Sequence, residues 1–417
     1  MKVFAILILF AFTFVNCHKL IEKYSWRELE FVWPTDESRQ EALFNGKYVP
    51  SNNLPLAFDV WRDKIFLTVP RWKTGVASTL NFIDISNEKS PVLHPYPNFS
   101  MNQLPESTSD GNNDGDGDEQ QHPNIISAFG IRVDECDRLW IVDSGLSDLL
   151  GQTEKFQNPS VFIFDLKTSK LLRRFEIPEK QKKADSFFVN IYVDVQHTKC
   201  GETFAYIADI YGYGIIVYDY QSDKSWRVNH NYFLFDPIQG NLNVADVNFQ
   251  WHDGVFGMAL GDVRNEHGDR TVYFHALVST NEFSVENSVL KNESFSTSPA
   301  AYHSFNLLGS RGTKTQSSAE VYDEITNVIF YTQINLNAIG CWNTKKAFTI
   351  ENQGIVARDD DTMIFPNDLR IDSNGNLFAL INRLPVFMFS NLKSDENNFH
   401  IMMGKTSEII KGSACEA

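Results

Sequence analysis

The chain has 417 residues, 42% of them hydrophobic, which is enough for one large β-domain or two ordinary domains. Its 33 Phe, 14 Tyr and 8 Trp favour strands over helices. A formal net charge of −16 sets the surface against phosphate backbones and anionic lipid, so nucleic acid and membranes are excluded as partners.

Residues 1–17, MKVFAILILFAFTFVNC, carry one lysine and then an apolar run of about a dozen residues, with a cut expected after Cys17. This is the layout of a secretory signal peptide, and the run is too short to span a bilayer. Residues 18–417 are then expected as a secreted, extracellular chain. Loss of Cys17 leaves Cys136, Cys200, Cys341 and Cys415, an even number that suggests two disulfides. Asn98-Phe-Ser and Asn292-Glu-Ser are glycosylation sequons.

A strand–turn–strand unit starts at 56-LAFDVWRDKIFLTV-69 and recurs at 131-IRVDECDRLWIVD-143 and 191-IYVDVQHTKCGETFAYIAD-209. It returns at 255-VFGMALGD-262 with 271-TVYFHALV-278, at 319-AEVYDEITNVIFYTQ-333 and at 369-LRIDSNGNLFALIN-382. The mean interval is about 60 residues, irregular but sustained. Two further strand-like runs follow the better pairs, such as 161-VFIFDL-166 and 171-LLRRFEI-177. Four strands per unit and six units predict an all-β fold, a six-bladed β-propeller with four-stranded antiparallel blades around a central channel. It would occupy residues 18–417 as one domain. The competing architecture is a pair of β-sandwiches, whose turns recur more often, about every 8–12 residues.

Cys136 and Cys200 lie in the first turns of successive units, which are neighbours on one rim of a propeller, so a Cys136–Cys200 bridge would staple adjacent blades. Cys341 is left to pair with Cys415. That bridge would close a loop of about 75 residues and contribute about 4 kcal/mol in a chain-entropy model. Asp143, Asp209, Asn335 and Asn382 end comparable inner strands and are expected at one mouth of the channel, where propellers commonly bind ligands. The alternative is that they only bond to turn amides.

Between the first and second units, residues 105–123 form an acidic loop. Its run 110-DGNNDGDGDEQQ-121 nearly fits an EF-hand calcium loop, but the last place is Gln121 and Pro105 and Pro123 replace the flanking helices. A flexible acidic insertion is the better reading. There is no HExxH, CxxC or GxSxG, so neither a metal nor a cofactor is expected. His252, His275 and His303 are scattered and read as strand or loop residues.

The wording of several stretches resembles the yellow/major royal jelly protein family of insects. They include 24-YSWRELEF-31, 66-FLTVPRWKTGVASTLNF-82, 131-IRVDECDRLWIVDSG-145, 243-NVADVNFQW-251, 340-GCWNT-344 and 365-FPNDLRID-372. They span nearly the whole mature chain, and VPRW, NFQW and FPND are closer to the yellow branch. Many yellow-like proteins carry a third cysteine pair, which falls near Gln121 and Ser160 here and is absent.

The resemblance implies a secreted six-bladed propeller in cuticle pigmentation or melanin formation. Its partner would be a small aromatic molecule of catecholamine, indole or dopachrome type, and an enzyme of the family would be a dopachrome-converting isomerase or tautomerase. The alternatives are a non-enzymatic carrier of biogenic amines such as serotonin, and a structural or nutritive protein. By resemblance Phe365 and Asn335 are ligand-binding candidates, with Asn367 added from its place beside Phe365. Asp143 and Asp209 are the candidate catalytic base or amine counter-ion. The sequence leaves the oligomeric state open.

Overall fold

The structure is a computed structural model that describes residues 20–105, 124–196 and 199–417. The expected signal peptide with Cys17, and the acidic run 110–121, lie outside the described residues.

The turn inside each repeat shows why the repeat is visible. In blade 2 the Asp134 carboxylate accepts from the backbone amides of Cys136 and Arg138, and Asp137 takes the left-handed conformation at φ 56°. In blade 6 Asp372 accepts from the amides of Asn374 and Asn376, and Gly375 takes φ 70°. Blade 5 repeats the device with Asp323 and with Asn327 at φ 57°. An Asp that folds onto its own turn, followed by a residue tolerant of positive φ, reverses the chain tightly between two strands.

Six four-stranded antiparallel sheets result. Their innermost strands are Phe58–Trp61, Ala128–Val133, Phe188–Gln196, Val255–Leu260, Glu320–Asp323 and Pro366–Ile371. Each contacts the next around the axis, and the last contacts the first, so the ring is closed. Blade 6 is composite. Pro366–Ile371, Asn376–Ile381 and Phe399–Lys405 come late in the chain, and Ile21–Trp26 adds the outermost strand from the N-terminal end. Closure by one strand from the far end of the chain pairs the outer side of Phe399–Lys405 and ties the two ends of the chain into one blade.

The second strands of blades 2 and 5, Arg138–Asp143 and Val328–Gln333, are buried at every position. The core lies between blades, as where Trp140, Val142 and Ile163 of blade 2 pack with Ile191, Ala205 and Ile207 of blade 3. Each such fully buried aliphatic side chain contributes about 1.5–3 kcal/mol. The strand ending in Asp143 is therefore second from the axis, with Ala128–Val133 inside it. Both disulfides form as expected, Cys136–Cys200 between blades 2 and 3 and Cys341–Cys415 between blade 5 and the C-terminal tail. Among the described residues no helix is long and apolar enough to cross a membrane.

Candidate functional site

On the face where the innermost strands begin, the residues that lead into those strands converge on the axis. Leu56, Phe187, Asp253 and Phe365 occupy such lead-in positions, and Phe129, Val189, Phe256 and Asn367 follow within the strands. Together they wall a chamber at the channel mouth. Trp251 closes one side after the hairpin Asn241–Val244 and Val247–Gln250. Leu384 and Met388 of the helix Leu384–Phe389 cover it. The chamber's volume is about 50 Å³, too small for an aromatic ring.

The wall is a chain of aromatic contacts. Trp72 meets Phe129 edge-on at 5.1 Å, Phe129 meets Phe187 edge-on at 5.0 Å, and Phe187 stacks on Tyr211 at 6.0 Å. Across the chamber Trp251 meets Phe365 edge-on at 5.8 Å. Phe365 holds φ 59°, a conformation bulky residues rarely adopt, and that kink turns its buried ring into the wall.

Asp253 is the only carboxylate among the lining residues. It is 7% exposed and lines the chamber together with Tyr211, and its Oδ1 has no partner among the described residues. Burial raises its pKa from 3.8 to about 7. The indole Nε1 of Trp72 is likewise buried without a partner among the described residues. One unmatched acceptor and one unmatched donor thus sit in an aromatic box. That arrangement suits a flat ring with a cationic or hydrogen-bonding substituent.

The expected site residues divide between this chamber and its supports. Phe365 and Asn367 line it, and the Asn367 side chain donates to the Leu56 carbonyl at 2.5 Å. Asp143 and Asp209 are fully buried and are not among the lining residues. Asp143 accepts from the amides of Ile126, Ser127 and Gly145 and from Gln157 Nε2. Asp209 accepts from the amides of Phe187 and Gly212 and from Ser186 Oγ, and pairs with Arg227 at 2.7 Å. Asp209 therefore fixes the backbone that presents Phe187 to the chamber. Asn335 lies two residues beyond the strand end at Gln333, so it is not the counterpart of Asp209, which ends its own strand. Its Oδ1 accepts from the Asn243 amide and holds the hairpin that leads to Trp251.

Asp253, Trp72 and Tyr211 were not among the residues expected from sequence. They lie in connections outside the strand pattern, and the signal for Asp253 is its place just before an innermost strand, which Phe365 shares. The sequon residues Asn98 and Asn292 are exposed, and in each the Oδ1 accepts from the sequon serine hydroxyl, at 2.8 and 2.9 Å.

The chain is similar to known proteins over most of its length. The family profile described as Major royal jelly protein matches residues 126–415. Protein yellow of Drosophila yakuba is 36% identical over 403 residues, which covers 96% of this chain and 71% of that protein. Protein yellow of Drosophila subobscura matches at 36% over 96% of this chain and 68% of its own length. Among solved structures, virginiamycin B lyase from Staphylococcus aureus covers 86% of this chain and 97% of its own at 8% identity and a TM-score of 0.43, too loose a likeness to bear on function.

Proposed function

This chain belongs to the major royal jelly protein family, on its yellow branch, and from that premise we propose that it is a secreted protein of cuticle pigmentation or melanisation that holds a tyrosine-derived aromatic amine in the chamber at its channel mouth. The observation that carries this reading is Asp253, a buried carboxylate with an unmatched oxygen inside an aromatic box. A ligand ammonium would pair with the ionised carboxylate, while its ring packs among Phe129, Phe187, Trp251 and Phe365. The part expected of Asp143 or Asp209 falls to Asp253 instead. A ligand site of ordinary size is about 300–1,000 Å³, so entry requires Leu384 and Met388 to swing outward. Secretion is supported by the two disulfides, which persist in oxidising compartments.

A second reading, dopachrome conversion, is favoured by the pKa of about 7 at Asp253, which suits a general base near neutrality. Asp253 would take the proton from the carbon beside the ring nitrogen. The electron pair would flow into the quinone, and a proton returned to a quinone oxygen would balance the isomerisation. Trp72 Nε1 would face the developing oxyanion.

Calorimetric titration of the mature protein with dopamine and serotonin tests the binding reading, with Asp253→Asn as control. One saturable site that the variant weakens at least tenfold is the expected result. No binding by the intact protein sinks this reading. Loss of L-dopachrome colour against a heat-denatured control then separates turnover from carriage.

A further inference from the structure

Buried charged side chains cluster at the seam between blades 4 and 5. Between blades 4 and 5, His275, Glu282 and Glu320 bring three ligand-type atoms within 4.8 Å of one another. His275 is on the second strand of blade 4, Glu282 on its third, and Glu320 on the innermost strand of blade 5. All three side chains are sealed from solvent, at 0%, 2% and 0% exposure. Arg311 is the one guanidinium in the cluster, and it donates to Glu282 and to the carbonyls of Ser279, Asn281 and Thr315. Two carboxylates thus face one fixed positive charge.

Glu320 makes the cluster more than an ion-pair network. Neither of its carboxylate oxygens has a hydrogen-bonding partner among the described residues, and Glu282 Oε1 has none either. Burying a carboxylate with both oxygens unmatched costs several kcal/mol unless something else meets them. His275 Nδ1 lies 3.1 Å from Glu282 Oε2 and 3.6 Å from Glu320 Oε2. Two ligand atoms each about 2.0–2.1 Å from one tetrahedral ion stand about 3.4 Å apart, which these two distances bracket.

We propose that His275, Glu282 and Glu320 form a structural site for one divalent first-row transition ion, zinc foremost, that clamps blade 4 to blade 5. An imidazole nitrogen with carboxylate oxygens suits zinc or manganese, whereas calcium and magnesium take oxygen ligands. Glu320 supplies the unmatched oxygens, and Arg311 holds Glu282 in place from the outside, as carboxylate ligands are commonly oriented by a second hydrogen bond. Gly257 leaves room for the imidazole, because a Cβ there would stand 2.5 Å from His275 Nε2. The site is closed on all sides, so the ion is loaded as the blades assemble. No sequence pattern announces it, since the three ligands come from three strands of two blades.

The test uses the full mature chain, folded with zinc available and then dialysed against metal-free buffer. Elemental analysis should find about one zinc per chain, and Glu320→Gln should retain at least tenfold less. A strong chelator should lower the melting temperature of the wild type and leave the variant unmoved. Cobalt(II) in place of zinc should give visible d–d bands without thiolate charge transfer. Should Glu320→Gln fail to fold, the metal content and cobalt spectrum of the wild type decide alone. A wild type that retains no stoichiometric metal and ignores the chelator overturns the proposal, and the cluster is then a shared-proton network of His275 with the two glutamates.

Discussion

Asp253 meets two opposed demands, burial among rings and a charge for its ligand, and pH decides between them. In the unfolded chain its ordinary value is 3.8, and burial lifts it to about 7 in the folded protein. Below pH 3.8 both states hold the proton and burial costs nothing. Between 3.8 and 7 the unfolded chain ionises first, so stability falls as pH rises, and above 7 the full penalty is present. Asp253→Asn should therefore stabilise the empty protein by roughly 2–4 kcal/mol at pH 8 and leave it unchanged below pH 4, read from urea denaturation. Dopamine affinity should move the other way, rising between pH 5.5 and 8 as the carboxylate ionises, which calorimetry at the two pH values checks. Asp209 behaves differently. Asp209→Asn leaves the Arg227 side chain, 10% exposed, without its counter-charge, at a cost of about 3 kcal/mol. Amine binding should survive that change at temperatures where the variant remains folded. Sequence places Asp143 and Asp209 at strand ends correctly, but a terminal Asp serves a turn as well as a ligand. Only the number of backbone amides folded around each carboxylate tells the two uses apart.

The helix Leu384–Phe389 is the element on which ligand entry depends. It starts from Arg383 in the left-handed conformation at φ 52° and lays Leu384 and Met388 over the chamber. Lys73, from the connection between the second and third strands of blade 1 (Lys64–Thr68 and Leu80–Asp84), latches it. The Lys73 ammonium donates to the Phe387 carbonyl at 3.0 Å and lies 4.1 Å from the Phe387 ring centre. Lys73→Met should remove both contacts and raise the dopamine association rate by about 3–10-fold, with little change in chamber chemistry. Stopped-flow quenching of the lining Trp72 and Trp251 reads that rate. The helix was not legible beforehand, because 384-LPVFMF-389 is apolar throughout and carries no polar face at helical spacing. The blade strands were legible, since a turn aspartate and a left-handed residue punctuate successive repeats. The hairpin Asn241–Val244 with Val247–Gln250 was visible only as family wording, because its partner Asn335 is distant in the chain.

At the scale of the whole molecule, the six repeats and both disulfides could be read from sequence, while the closing strand could not. Ile21–Trp26 pairs with Phe399–Lys405, and nothing local in either segment names the other. Deleting residues 18–26 should leave Phe399–Lys405 as an open sheet edge, and light scattering coupled to gel filtration should find dimers or larger species in place of the full-length form. A variant that stays in the state of the full-length chain would show that the ring does not need its closing strand. The same composite blade sets a clock on synthesis. Ile21–Trp26 is made early, and its partner ends at Lys405, nearly 380 residues later. At about 5–20 residues per second the first strand waits roughly 20–80 s for a place to dock, so five blades can be complete while the sixth has only its outermost strand. A circular permutant that begins after blade 5 and joins the old termini would deliver blade 6 in one piece and should shorten that wait to seconds.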